Sequence, residues 1–350
     1  MSGEARASDS LRDGQAHEAA GRVSDAAECY AAAADHAAQD DQPRALSEAL
    51  RRRGVLYHKQ AKDDRARSLC SRAYDIAVVA GLDDLAAEAL NALAGFELER
   101  GRLAEARQQY QAALEFASRQ PELVGKIEQN LGVVANVRGD WAAAWQHYQR
   151  ALAAYEQTKD YRGSAIAYHN LGRIHAERHE WEEAGQRFHL ARKLAHAAGD
   201  VHLHGLALLS HAEVHLALRQ YDDARRSVIE ALGIFVRIQA ERDRAGGHRL
   251  LGATLREMGC VEAAEPELAT AIAIAQRAEC PLEEADATRE MARLYWRMGQ
   301  TDRALTVLRR ARELFVQVDA TNDVTEVDAL ALAIETPPAD ATGLSGHAAA

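Results

Sequence analysis

Small and apolar residues recur along this chain with the period of paired helices, and the small ones fix the register. Ala26, Ala66, Ala106, Ala144, Ala184, Ala224, Ala264 and Ala304 stand 40, 40, 38, 40, 40, 40 and 40 residues apart. Seven residues after each comes a second alanine: Ala33, Ala73, Ala113, Ala151, Ala191, Ala231, Ala271 and Ala311. Two alanines seven apart share one helix face, and their small side chains let another helix approach closely. Twelve residues before each first alanine stands a further small residue: Gly14, Gly54, Ala94, Gly132, Gly172, Ala212, Gly252 and Ala292. It supplies the other half of the helix–helix contact. Near the middle of the second helix a larger side chain recurs (Tyr30, Tyr110, Tyr148, Phe188, Val228, Leu268 and Leu308) and is expected to fill the space that the alanines leave.

The residues between these stretches agree. Gly21, Gly101, Gly139, Gly259 and Gly299 lie between the two helices of a unit, where a positive φ ends the first helix. Ala61, His179 and Arg219 replace glycine elsewhere, so those turns are expected to be strained or differently capped. Two residues past the turn, Val23, Leu103, Trp141, Trp181, Tyr221 and Val261 are expected to start the second helix and pack back on the first. Pro43, Pro121 and Pro281 suit the first turn of a helix. Gly81-Leu82-Asp83 and Gly199-Asp200 read as a C-cap followed by an N-cap. After the eighth unit, Asp323 and Glu326 have the spacing of a capping box, and Val327, Leu330, Ala331 and Ile334 form one apolar stripe. These predict a closing helix over residues 325–335 that covers the last open face. Pro337-Pro338 ends it, and residues 336–350 are predicted to form a disordered tail. Gly246-Gly247 and Pro266 interrupt the seventh unit and read as tolerated irregularities rather than a flexible joint.

Composition narrows the class. Aromatic residues are only 5% of the chain and there are six prolines in 350 residues, which favours helix throughout. A net charge of −11 argues against a general nucleic-acid or anionic-membrane surface. Cys29, Cys70, Cys260 and Cys280 lie far apart, so neither a zinc site nor a disulfide framework is expected. They are expected to be buried or half-buried free thiols in a reducing, cytoplasmic compartment. The first eleven residues lack the apolar core of a signal peptide, and no run approaches the ~18 apolar residues of a membrane span.

The register, with Leu131-Gly132, Leu171-Gly172 and Leu251-Gly252 on first helices and the alanine series with Tyr110, Tyr148 and Phe188 on second helices, resembles the tetratricopeptide repeat. The resemblance runs over about residues 8–316. The spacing of 40 exceeds the usual ~34 of that family, and the proline that closes its second helix is absent, so each helix is expected to be about a turn longer. This longer form is similar to the repeats of kinesin light chain, of Pins-type adaptors and of bacterial regulators that bind short peptides. The resemblance implies an all-α fold: a right-handed α-solenoid of about eight helix-turn-helix repeats with a C-terminal capping helix, continuous over residues 1–335.

It also implies where function lies. First helices of such solenoids line a concave groove, and Asn130 and Asn170 occupy equivalent places there. In related adaptors an asparagine at this place bonds the backbone or carboxylate of an extended peptide, since an amide both donates and accepts. Around it lie Lys126, Gln129, His169 and Arg173, with Arg52 towards the N-terminus and Arg249, Arg289 and Arg293 towards the C-terminus. The expected concave positions are near neutral on an acidic chain. This favours an acidic ligand or a C-terminal carboxylate.

His211 and His215 have the i, i+4 spacing of a metal pair, but His215 and His175 fall where Tyr57 and Tyr295 fall, and His211 falls where Leu171 and Leu251 fall. Both read as half-buried rings, and no metal or cofactor is expected. There is no phosphate-binding loop and no nucleophile-elbow motif, so no enzyme is expected. The leading expectation is a scaffold or adaptor of bacterial type that binds an extended peptide or partner tail in its groove. A peptide-responsive regulator acting through conformational change and a self-assembling scaffold are the competing readings. Such regulators usually carry an N-terminal helix-turn-helix, where residues 1–40 here form a repeat.

Overall fold

The computed structural model describes residues 3–336, and among them are seventeen α-helices and no strand. The first helices of successive pairs are α1 (Gly3–Ala19), α3 (Pro43–Lys59), α5 (Asp83–Glu99), α7 (Pro121–Val137), α9 (Tyr161–Glu177), α11 (Val201–Ala217), α13 (Glu241–Glu257) and α15 (Pro281–Arg297). The second helices are α2 (Val23–Gln39), α4 (Asp63–Val79), α6 (Leu103–Ala117), α8 (Trp141–Thr158), α10 (Trp181–Ala197), α12 (Tyr221–Ile238), α14 (Val261–Arg277) and α16 (Thr301–Gln317), and α17 (Thr321–Glu335) follows the eighth pair. Each of Val23, Leu103, Trp141, Trp181, Tyr221 and Val261 is the first residue of its helix, as expected. Pro43, Pro121 and Pro281 each open a helix, where the missing N–H costs nothing.

The chain falls into two compact units, one up to Ile174 and one from His175 onward, with the boundary inside α9. In the first unit α1 to α8 pack each on the next, and in the second α10 to α17 do the same. First helices also pack side by side, α1 on α3, α3 on α5 and α5 on α7 in one unit, α11 on α13 and α13 on α15 in the other. First helices therefore share a face within each unit.

A left-handed residue ends most helices. Gly21, Asp41, Ala61, Gly81 and Gly101, and then Gly139, Lys159, His179, Gly199, Arg219, Gln239, Gly259, Glu279, Gly299 and Asp319, all have positive φ. Each step of twenty residues is a helix of seventeen and a turn of three, or at α8 and α12 a helix of eighteen and a turn of two. The series breaks once, at the connection from α6 to α7. There α6 has 15 residues and its C-cap, Ser118, stays right-handed. That shortened step accounts for the single spacing of 38. Ala61, His179 and Arg219 do adopt the strained conformation (φ 57°, 59° and 60°), as their place in the pattern predicts. Asp41, Lys159, Gln239, Glu279 and Asp319 do so as well, without a sequence signal that singled them out.

Close packing explains the small first-helix residues. A Cβ on Gly132 would lie 2.4 Å from Cε1 of Tyr148, one on Gly14 2.5 Å from Cε1 of Tyr30, and one on Gly252 2.6 Å from Cγ of Leu268. Other glycines make room in both kinds of contact: within a pair Gly125 meets Tyr155 and Gly205 meets Phe235, and between successive pairs Gly163 meets Tyr155 from the other side. Gly247 belongs with Gly163, since its Cβ would strike Leu232 Cδ2 at 2.6 Å. Helix α13 runs unbroken through Gly246-Gly247, and α14 runs unbroken through Pro266.

Three local expectations change. Leu82, not Asp83, holds the N-cap place of α5, and Asp83 and Asp84 lie in its first turn, where carboxylates favour the helix dipole. The closing helix starts at Thr321, four residues before its expected start, so Asp323 and Glu326 are inside it and make no capping box. Their carboxylates instead accept from Arg289 Nη1, at 2.8 and 3.2 Å. Val327 and Ile334 of the predicted stripe are buried, and Leu330 and Ala331 pack against the same cluster as Leu308 and Phe315. Among the thiols, Cys70 is buried and Cys29 and Cys280 are half-buried, but Cys260 is exposed at the N-cap of α14. The expected tail over 336–350 lies, apart from Thr336, outside the described residues.

Candidate functional site

In the first unit the shared face of α3, α5 and α7 holds a cleft of about 450 Å³. Its walls carry Arg51, Val55, His58 and Lys59 from α3, Asn91, Gly95, Phe96 and Glu99 from α5, and Leu123, Lys126 and Asn130 from α7. Tyr110 of α6 closes one side from beneath. Two of the sequence-predicted residues, Asn130 and Lys126, meet here.

Asn130 does not stand alone. Its Nδ2 donates to Oδ1 of Asn91 at 3.0 Å. The pair leaves Asn91 with an amide donor and Asn130 with a carbonyl acceptor, the two functions needed to match a peptide bond. Asn91 escaped the sequence reading because it stands one place before the position of Asn130 and Asn170 in the register. The signal was present: at that place stand Arg51, Asn91, Gln129, His169, Arg249 and Arg289, polar in six units of eight.

The charges in the cleft are unequal in availability. Arg51 pairs with Glu88. His58 Nε2 lies 2.7 Å from Glu99 and its Nδ1 3.0 Å from Asp63, so both carboxylates have a partner. Lys126 is exposed and makes no ion pair among the described residues. It stands where the two preceding units carry Glu48 and Glu88.

The other predicted residues are placed differently. Gln129 accepts from the Tyr155 hydroxyl at 3.0 Å, which ties α7 to α8. Arg52 is 2.9 Å from Glu48 and 3.6 Å from Glu18, and Glu18 also accepts from the Tyr30 hydroxyl. On α9, His169 and Asn170 are hydrogen-bonded to each other, and burial, with Arg173 beside it, pushes the His169 pKa down to about 4. His169 is therefore a neutral ring at ordinary pH.

In the second unit, the predicted arginines face carboxylates of the protein itself. Arg249 is 3.6 Å from Glu213, and Arg293 pairs with Glu290, which also receives Arg256 at 2.6 Å. Glu290 is buried, and the surrounding Arg256, Arg293 and Arg249 outweigh its desolvation and hold its pKa below the ordinary value. Arg289 is 13% exposed, bonds Asp286, Asp323 and Glu326 and lies over the Phe315 ring. It joins α15 to α17.

A further cleft of about 580 Å³ opens in the second unit between the end of α10, the start of α11 and α12. Ile229, 54% exposed, and Gly233 form part of its wall. His211 and His215 stack edge to face at 4.5 Å between centroids, and both are half-buried as their register predicts. Burial and the nearby cationic groups push the His211 pKa down to about 4. Among the described residues no group of three or more His, Cys, Asp or Glu could hold a metal ion, and no helix is long and apolar enough to cross a membrane.

Sequence profiles described as tetratricopeptide repeat match residues 123–197 and 243–315, and another of the same description matches residues 72–121. Together they span more than half of the chain. No curated protein sequence matches it. Among solved structures, a signal-transduction ATPase with numerous domains and a tetratricopeptide repeat sensor, from Pyrococcus horikoshii, aligns at TM-score 0.67 and 16% identity. That alignment covers 87% of this chain and 47% of the ATPase. A Rap protein complexed with competence and sporulation factor aligns at TM-score 0.59 and 13% identity, over 94% of this chain and 97% of the other. BtubC from P. vanneervenii aligns at TM-score 0.52 and 19% identity, over 68% and 93%. At these identities the likeness is one of fold.

Proposed function

We propose that this chain, which belongs to the tetratricopeptide repeat family, is a protein-interaction scaffold that holds an extended partner segment along the first-helix face of its first unit. The observation that carries this reading is the Asn91–Asn130 amide pair over the α3–α5–α7 cleft. It offers one donor and one acceptor to a passing backbone, and an extended strand without internal hydrogen bonds needs both. Asn170, Arg173 and His169 on α9 extend the same role, since Asn170 is the register counterpart of Asn130.

An acidic segment, or one ending in a free carboxylate, fits best. Among the described residues Lys126 is a cation without an internal partner, whereas Arg52, Arg249, Arg289 and Arg293 are engaged by Glu or Asp of the protein. A ligand that drew on those arginines would first have to displace a carboxylate. The solved Rap protein of the same fold is complexed with competence and sporulation factor, which fits a repeat stack that grips a partner. Four free thiols suit a reducing, cytoplasmic setting. No enzymatic step and no cofactor enter this reading.

The test is an array of extended synthetic peptides, acidic and neutral, each made with a free and with an amidated C-terminus. The wild-type protein is expected to bind a subset of acidic or free-carboxylate peptides. Asn130→Ala with Asn170→Ala is expected to weaken that binding by about tenfold or more, as for two lost hydrogen bonds. Binding that survives the double substitution unchanged removes the reading.

A further inference from the structure

The hydroxyl of Tyr110 is the unusual group in the α3–α5–α7 cleft. Tyr110 is 1% exposed, yet it contributes to the cleft wall, and its hydroxyl has no hydrogen-bond partner among the described residues. The ring is buried, but the hydroxyl is not among the fully buried unpaired atoms and so reaches the cleft. Two other buried tyrosines are paired: Tyr30 donates to Glu18 at 2.7 Å and Tyr155 to Gln129 at 3.0 Å. Burial and the nearby Glu99 carboxylate hold the Tyr110 pKa above its ordinary value, so the hydroxyl keeps its proton and remains a donor.

Gly95 is the reason the hydroxyl is reachable. It lies inside α5, where glycine weakens a helix by about 0.5–1 kcal/mol relative to alanine. Packing does not require it. A Cβ there would meet only the Tyr110 hydroxyl, at an ordinary 3.7 Å, whereas Gly14, Gly54, Gly132 and Gly252 each exclude a Cβ by a contact of 2.6 Å or less. The same register place carries Gln15, Val55, Val133, Arg173, Glu213, Ala253 and Arg293 in the other units. Beside Tyr148, the counterpart of Tyr110, it carries Val133, which packs in the Tyr148 cluster. Among the described residues the Tyr148 hydroxyl has no partner either, but there a branched side chain stands where the third unit has Gly95. Only in the third unit is that place empty.

The charge around this opening is set for an anion. Three cations, Arg51, Lys59 and Lys126, line the cleft against two carboxylates, Glu88 and Glu99. Glu88 is taken by Arg51 and Glu99 by His58. Among the described residues, Lys126 and the Tyr110 hydroxyl are left as donors without internal acceptors.

We propose that Gly95 opens a side-chain pocket in which the Tyr110 hydroxyl and Lys126 select an acidic residue, Asp or Glu, of the bound segment. This rests on the first-helix face being the binding face. It adds which side chain is read and by which residues, and it makes Gly95 and Tyr110 the determinants of specificity.

The test uses fluorescein-labelled, C-terminally amidated octapeptide sub-libraries, each with Glu, Asp, Gln or Leu fixed at one central place and the rest randomised. Amidation removes the terminal carboxylate as a competing anion. The wild-type protein is expected to bind the Glu or Asp set about tenfold more tightly than the Gln and Leu sets, as for a hydrogen bond to a charged group. Tyr110→Phe, which keeps the ring, and Gly95→Val, which copies the Val133 arrangement, are each expected to reduce that preference below about threefold. Binding of the Leu set should stay within about twofold, which shows that the groove is intact. A wild-type protein without acid preference, or a preference that survives both substitutions, overturns the pocket and leaves the groove reading standing. A wild-type protein that binds none of the sets and none of the arrayed peptides removes both.

Discussion

Gly132→Ala isolates the contact on which each helix pair depends. The new methyl carbon would sit 2.4 Å from Cε1 and 2.6 Å from Cδ1 of Tyr148. Carbon atoms in contact prefer about 3.5–4.0 Å, so the overlap is roughly 1 Å. The ring is 2% exposed and held among Ala144, Ala151 and Leu171, so it has little room to retreat. Overpacking of this kind costs about 1–3 kcal/mol, and the better helix propensity of alanine returns about 0.5–1 kcal/mol. The expected net loss is about 1–2 kcal/mol. Gly95→Ala, in the preceding helix pair, is the control. It gains the propensity without the clash, so it should be more stable by about 0.5–1 kcal/mol. The sixth unit pairs Ala212 with Val228 at the places of Gly132 and Tyr148, so Tyr148→Val should relieve the clash in the double variant. Alone, Tyr148→Val leaves a cavity and costs about 3 kcal/mol or more. Urea unfolding followed by far-UV circular dichroism measures the wild type and all four variants. A coupling of about 1–3 kcal/mol between the two substitutions is expected. A Gly132→Ala protein at least as stable as Gly95→Ala, or losses that simply add, would refute the account of why this place is small.

Other consequences follow from particular residues. Ala61 has φ 57°, so Ala61→Gly should raise the urea midpoint by an amount worth about 0.5–1 kcal/mol, while Gly101→Ala, at φ 73°, should lower it by a similar amount. His211 has a pKa pushed down to about 4 by burial, then by His215, Arg192 and His189, against 6.5 for the free group. The unfolded chain therefore takes up a proton that the folded state refuses. Its contribution to stability is complete above pH 6.5 and is lost as pH falls towards 4. His211→Leu, which copies Leu171 and Leu251, should flatten the fall in thermal midpoint across that window. Arg289→Leu removes the group that joins α15 to α17 through Asp323 and Glu326. It should cost about 3 kcal/mol and speed amide exchange across Thr321–Glu335, whereas the exposed Arg312→Ala, which loses only its pair with Asp328, should leave that exchange nearly unchanged.

The sequence alone determined the helices, their pairing and their register. Ala144, Gly132 and Tyr148 recur as a set because two helices cannot approach closely unless one face is small and the other fills the gap. That constraint is local in sequence and repeats unchanged, so it is written in every unit. Turn geometry was legible where glycine marked it and, through the register, at Ala61, His179 and Arg219. Gln239 and Glu279 are left-handed because a fixed step of helix and turn leaves the backbone no alternative, and their side chains carry no trace of it. Asn130 was legible as a site candidate because it shares its register place with Asn170, and Lys126 because it lies beside that place. Arg52, Arg289 and Arg293 looked the same in sequence, but the tertiary structure spends them on Glu48, Asp323 and Glu290. Tyr110 read as an ordinary member of the repeat and Gly95 gave no signal, and only the packed structure places one beside the other's hydroxyl. A repeat pattern states which residues are alike. Whether a charge is already paired, or a buried donor still lacks an acceptor, depends on neighbours three or four tens of residues away, and folding alone brings those together.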